Sequence, residues 1–277
     1  MLYRERASVV ATLVVLGLIL ATFLEFPARS FELTVLGSLL TIPLSQTATM
    51  AALLVGITCA GTDAIVRSHP TARRIEARYS FVTWALPGLT VLLATVLLPQ
   101  APTQLYQLVG FLVTGVLLIL VISAEYYTVD PTDRHYLAAR LSLNAWAYVL
   151  ALVLFYLIYS PKTRSLISAT EVTLVSTLLA LEFLRSAGRS FGRTALYAAI
   201  AGLATGEIIW AMNYWRISGI TGGLILLLGF YVATGLANQQ LQGRLTRRVL
   251  VEYAVVALVG YAIAVLIGWL VQLRLGA

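Results

Sequence analysis

The segment ASVVATLVVLGLILATFLEF, residues 7–26, decides the class of this protein. A helix that crosses the hydrocarbon core of a bilayer needs about 20 mostly apolar residues. The apolar run from Ala7 to Leu24 is longer than the core of a signal peptide, which spans about 7–15 residues, and no A-x-A cleavage site follows it. The segment is therefore predicted to be an uncleaved first membrane span.

Similar segments recur along the whole chain. Of 277 residues, 60% are hydrophobic and 11% are charged, against about 25% charged in a soluble domain, and the mean hydropathy is +0.88. The predicted spans are residues 7–26, 47–67, 79–99, 104–126, 136–159, 165–186, 192–215, 222–241 and 250–273. This pattern predicts an all-α integral membrane protein, a polytopic bundle of about nine transmembrane helices in one domain, 1–277.

The basic residues predict an orientation for these spans. If consecutive spans alternate in direction, 14 of the 19 basic residues lie on the side of the N-terminus. The other five are Arg29, Lys162, Arg164, Arg216 and Arg274. Because basic residues concentrate in cytoplasmic loops, we expect a cytoplasmic N-terminus and an extracytoplasmic C-terminus in a plasma (cytoplasmic) membrane. The net charge of +7 then indicates contact with anionic lipid headgroups at the cytoplasmic loops, and not nucleic acid.

The first predicted outer loop, SFELTVLGSLLTIPLSQT at 30–47, has a pattern of its own. Apolar and polar residues alternate from Phe31 to Val35, and Gly37-Ser38 suits a two-residue turn. We predict a small extracytoplasmic β-hairpin over 31–44; a short re-entrant helix is the alternative. Such a hairpin would offer a docking edge to a partner protein, or would only shield the helix ends.

The segment ATGEIIWAMNYWRISGITGG, residues 204–223, places a carboxylate and an amide near the outer end of a span. Glu207 is expected about 12 Å inside that end, and Glu171 of the preceding span about 9 Å deep. Ionisable side chains at such depth are functional candidates. We predict a binding site in the outer half of the bundle, formed by Glu207, Glu171, Asn213 and Trp210. The alternative is a structural hydrogen bond that joins two helices.

A second polar group is predicted near the inner ends of the spans. Its members are Asp63, Glu125, Arg140 and Asn144. Arg140 and Asn144 share one helix face, and Arg140 would pair with Glu125 or Asp63. The alternative is local ion pairing near the headgroups, such as Asp63 with Arg67.

The sequence carries no recognisable catalytic or cofactor motif. It lacks HExxH, CxxC, a P-loop and GxSxG, and its two histidines fall in predicted loops. We therefore predict no catalytic residue, no metal and no cofactor. The favoured hypothesis is a non-enzymatic protein of the binding or transport type. The alternatives are an accessory subunit of a larger membrane complex and, third, a membrane enzyme that acts on lipids.

Overall fold

A computed structural model describes residues 2–24, 29–35, 38–71, 77–187, 190–215 and 217–275. Within these ranges, nine helices are long and apolar enough to cross a membrane, which confirms the predicted number and order of spans. The α-helices are α1 Leu2–Phe23, α2 Gln46–Arg67, α3 Ala85–Leu97, α4 Gln104–Tyr127, α5 Tyr136–Tyr159, α6 Ser165–Leu184, α7 Phe191–Met212, α8 Gly219–Leu241 and α9 Arg247–Leu275. The third span also includes short 3₁₀ segments on either side of α3.

The predicted hairpin over 31–44 is wrong in its bounds and in the position of its turn. The two paired strands are β1 Arg29–Val35 and β2 Ser38–Leu44, so pairing begins two residues earlier than predicted. Ser38 pairs with Val35, so it belongs to a strand and not to the turn. An isolated two-stranded pair is marginally stable by itself, and the architecture of the described chain is that of its helices.

Threonine side chains bond to the helices that carry them. In six buried examples the hydroxyl donates to the carbonyl oxygen four residues earlier, at 2.7–2.8 Å. These residues are Thr58, Thr90, Thr95, Thr114, Thr205 and Thr234. The bond satisfies the hydroxyl hydrogen without a neighbouring helix, which matters where no water is present.

The described helices form two compact units, residues 1–143 and 144–277, and α5 runs through the division. The prediction of a single bundle over 1–277 stays a prediction. In the first unit α1 packs against α2 and α4, and α3 packs against α2 and α4. Their shared core is aliphatic, with Val14, Leu54 and Leu118 almost fully buried at its centre.

In the second unit α6 and α7 make the most extensive helix contact. Two glycines of α7 form this contact: Gly202 and Gly206 lie against the α6 residues Ala169, Thr173 and Thr177. A Cβ atom on Gly202 would lie 2.8 Å from the carbonyl oxygen of Thr173, closer than real Cβ contacts. Glycine therefore allows the two backbones to approach in a way that no other residue would.

We expect Gly202→Ala to lower the free energy of unfolding by about 1 kcal/mol. Alanine gains up to about 1 kcal/mol of helix propensity, but the forced separation of α6 and α7 costs about 1–3 kcal/mol. Reversible unfolding in mixed micelles measures the difference. Gly56→Ala is the matched control, because nothing lies within 4 Å of a Cβ atom there. Equal stability of the two variants would contradict the role given to Gly202.

Candidate binding site

The two outer carboxylates lie at one level of the second unit but do not face each other. A Cβ atom on Gly206 would lie 3.1 Å from the carbonyl oxygen of Ala169, which brings the neighbouring Glu207 to the level of Glu171. Glu171 is two residues from Ala169, about 200° around α6, and so points away from α7. Glu207 and Glu171 are both exposed at the surface of the protein. No shared carboxylate pocket is formed, and their role in binding remains a prediction.

Asn213 joins α7 to α6 through a side-chain hydrogen bond. Its amide Nδ2 donates to Oγ of Ser168 at 2.8 Å, and Ser168 is almost fully buried. The Oδ1 atom of Asn213 is also buried and has no hydrogen-bond partner. This geometry matches the alternative interpretation of the segment, in which a polar group holds two helices together. Trp210, one turn earlier, is 46% exposed on the surface of α7 and does not join this contact.

At the same end of the second unit, Tyr159 and Lys162 connect the end of α5 to the end of α7. The Tyr159 hydroxyl is buried and donates to the carbonyl oxygen of Met212 at 3.2 Å. The Lys162 Nζ lies 3.6 Å from the centre of the Tyr159 ring, a cation–π contact, and 3.5 Å from the carbonyl oxygen of Trp215. Partial burial lowers the pKa of the Lys162 amine. The turn after α5 is thereby tied to the turn after α7.

The four residues of the predicted inner group differ in their contacts and in the unit to which they belong. Asp63 forms an ion pair with Arg67 at 2.7 Å and accepts a hydrogen bond from the Trp84 indole at 3.2 Å. Glu125 and Arg140 are buried residues of the first unit. Asn144 belongs to the second unit, and its Oδ1 atom is buried without a hydrogen-bond partner. Local pairing therefore accounts for Asp63, and a common site for all four residues stays a prediction.

The two histidines, His69 and His135, lie in an aromatic cluster of the first unit, near the ends of α2 and α4. The His69 ring packs edge-on against Tyr126, with ring centres 4.6 Å apart. His135 donates its backbone N–H to Oδ1 of Asp133 at 2.7 Å, and this bond lowers the pKa of the Asp133 carboxyl. Among the described residues, no three His, Cys, Asp or Glu side chains are grouped closely enough to hold a metal ion.

A half-enclosed cavity of about 380 Å³ lies in the first unit, where α1 ends and α2 begins. Its walls come from α1, α2, α4 and the end of α3. The polar lining residues are Thr22, Gln46, Thr47, Thr95 and Gln107, and the apolar ones are Leu18, Ala21, Met50, Ala94, Leu98 and Pro99. The volume and the mixture of apolar walls with a few polar groups are typical of small-molecule sites, which span about 300–1,000 Å³.

Gln46 lines this cavity and bonds to the end of α1. Its Nε2 donates to the carbonyl oxygens of Ala21, at 2.9 Å, and of Leu24. Ala21 is in the last turn of α1 and Leu24 directly follows it, where carbonyls lack partners within the helix. Sequence reasoning missed this site, because it searched for charged residues. The sequence signal that indicates this site is a glutamine near the start of each of two spans, at positions 46 and 107.

A second cavity, of about 430 Å³, lies in the second unit between α5, α8 and α9. Its lining is aliphatic apart from the rings of Tyr148 and Tyr231. The surface beside α9 is also apolar, since Leu258 is 73% exposed. An apolar groove on a membrane-spanning helix is accounted for by bilayer lipid.

A family model described as "Protein of unknown function (DUF5656)" matches residues 26–267 of the chain. The match extends over most of the chain and covers parts of both compact units, from after α1 into α9. Neither the curated proteins nor the solved structures contain a significant match.

We expect Ser168→Ala to destabilise the protein by about 1 kcal/mol, because it leaves the buried Asn213 amide without its acceptor. In the double variant Ser168→Ala/Asn213→Ala, the second substitution should cost less than it does alone. The coupling of the two residues is then about 0.5–1.5 kcal/mol. Unfolding free energies of the wild type, both single variants and the double variant measure it. Strictly additive effects would remove the role of Asn213 as a link between α6 and α7.

Proposed function

This chain belongs to the DUF5656 family, and we propose that it is a non-enzymatic, multi-pass membrane protein that binds a small molecule inside its first helical unit. The observation that carries the proposal is the half-enclosed cavity bounded by Gln46, Thr95 and Gln107. Polar side chains from four different helices converge on it, while the other lining residues are apolar. Such convergence is what a binding site needs to orient a ligand.

The orientation of the spans gives the proposed site a location. In the orientation predicted from the basic residues, the N-terminus lies in the cytoplasm and the protein spans the plasma membrane. Then α1 ends on the extracytoplasmic side. The cavity is bounded by Ala21, near the end of α1, and by Thr47, near the start of α2. A ligand would then enter from the outer leaflet or the extracytoplasmic space. This proposed site is distinct from the predicted group of Glu171, Glu207, Asn213 and Trp210, none of which lines the cavity.

The second candidate function is that of an accessory subunit of a membrane complex, and the surface of α7 supports it. A row of exposed residues recurs there with alternating spacings of four and three, the spacing of a helix-pairing seam. These are Leu196, Ile200, Leu203, Glu207 and Trp210 of α7, and Tyr214 just after it. A carboxylate in the middle of such a seam is costly in lipid and is stabilised when another helix covers it. On this reading Glu207 contacts a partner rather than a solute.

Filling the cavity tests the proposed binding function. We expect Ala21→Phe to abolish retention of a small molecule, because its ring would occupy space that the ligand needs. The measurement is native mass spectrometry of protein extracted gently from its own membrane, with the masses of bound non-protein molecules recorded. Ala48→Phe is the matched control, since Ala48 is exposed in the first turn of α2 and does not line the cavity.

A bound mass in the wild type and in Ala48→Phe, absent from Ala21→Phe, supports the proposal. Identical bound molecules in all three proteins would place the ligand elsewhere and overturn it. Thermal unfolding of each protein checks that Ala21→Phe has folded.

The accessory-subunit candidate predicts a protein neighbour beside α7. In a Cys59→Ser background, Leu203→Cys labelled with a photoactivatable thiol reagent should form a discrete protein adduct in native membranes. Leu258→Cys on α9 is the control, because it is also a highly exposed leucine within a span. If both positions yield lipid adducts alone, the seam is a lipid-facing surface and this candidate function is discarded.

A further inference from the structure

We infer that the ligand of the first-unit cavity is an uncharged amphiphile whose polar group donates a hydrogen bond, such as a hydroxyl on an apolar body. This inference rests on the proposed binding function and adds the chemical class of the ligand. Three observations carry it: the absence of charge in the lining, the way the threonine hydroxyls are used, and the arrangement of the apolar wall.

Among the residues that the structure describes, the lining contains no Asp, Glu, Lys, Arg or His side chain. A charged ligand group that entered the cavity would lose much of its hydration and find no counter-ion. Burying an unpaired charge is far more costly than burying a neutral polar group that is hydrogen-bonded. The lining therefore selects against phosphate headgroups and against ammonium groups alike.

The hydroxyl hydrogens of Thr22 and Thr95 are already used within their own helices. Thr22 donates to the carbonyl oxygen of Ile19 at 2.6 Å, and Thr95 donates to that of Val91 at 2.8 Å. A threonine hydroxyl has one hydrogen and two lone pairs. Toward the cavity these two side chains therefore act as acceptors, and a ligand that bonds to them must bring the hydrogen.

Gln46 strengthens this bias toward accepting groups. Its Nε2 is engaged by two carbonyl oxygens of the last turn of α1, so the amide hydrogens are directed to the protein. Gln107 adds to the lining an amide that can both donate and accept. An alcohol suits this set, because its hydrogen meets a threonine oxygen and its own oxygen can accept from the amide of Gln107.

The apolar wall fits the remainder of such a ligand. Four buried apolar residues line the cavity together with its polar groups: Leu18, Met50, Ala94 and Leu98. This apolar lining takes the place of lipid around the hydrocarbon part of the ligand, while a single polar contact holds its other end. Together they orient the ligand, as is typical of a binding site. The hydroxyl end then meets Thr95, and the hydrocarbon end follows the apolar wall.

The test uses the full chain in lipid nanodiscs and four probes with the same hydrocarbon chain: dodecanol, dodecyl methyl ether, dodecylamine and dodecyl phosphate. Retained probe is measured by native mass spectrometry, and Ala21→Phe defines cavity-specific binding. We expect dodecanol to bind most tightly. The ether, which lacks a hydrogen to donate, should bind about threefold to tenfold more weakly, the loss typical of one hydrogen bond.

Thr95→Val removes the acceptor and keeps the shape of the side chain. It should bring the affinities for dodecanol and the ether close together. Thr90→Val is the matched control, because Thr90 is also buried in α3 and makes the same internal hydrogen bond, but it does not line the cavity. Its preference for the alcohol should equal that of the wild type.

The outcomes separate this inference from the proposed function. If ether and alcohol bind equally and Ala21→Phe blocks both, the cavity binds ligands but the inference of a hydrogen donor is overturned. Tighter binding of dodecylamine or dodecyl phosphate overturns the inference of an uncharged ligand. If Ala21→Phe affects neither the probes nor the molecules retained from native membranes, the proposed function fails together with the inference.

Discussion

The structure depends on one constraint: inside a bilayer, backbone amides have no water to bond to. Every peptide group must find its partner within the protein, and a helix achieves this within each span. Stability then comes from how closely the helices pack, since lipid is as apolar as leucine. Gly202 and Gly206 serve this end by admitting the backbone of α6. Ser168 and Asn213 add one polar bond between the same two helices.

The two units use the same constraint in different ways. In the second unit, α6 and α7 approach closely at Gly202 and Gly206, and the Asn213–Ser168 hydrogen bond joins them. In the first unit, α3 has only 13 residues and continues through Leu98–Gln100 as a 3₁₀ segment. The cavity lies beside this end, where Thr95 and Pro99 face the glutamines of α2 and α4. The 3₁₀ continuation of α3 itself lines the cavity, through Leu98 and Pro99.

The sequence predicted the spans well, because apolar length is the property that a bilayer selects. It did not predict that Glu171 points away from α7, because periodicity assigns residues to a face but does not say which face meets a neighbour. It also missed the cavity, since a cavity arises from several helices together and its glutamines and threonines look ordinary one at a time.

The internal hydrogen bonds of the buried threonines have a consequence for the insertion of their helices into the bilayer. A threonine whose hydrogen is held by the preceding turn, as in Thr58 or Thr205, presents mainly a methyl group to its surroundings. Hydropathy scales count it as polar, yet its transfer into the bilayer costs less than the scale assumes. Exchange between alanine, valine and threonine at such positions is therefore nearly neutral for membrane insertion, and evolution can move hydroxyl oxygens along these helices without losing a span.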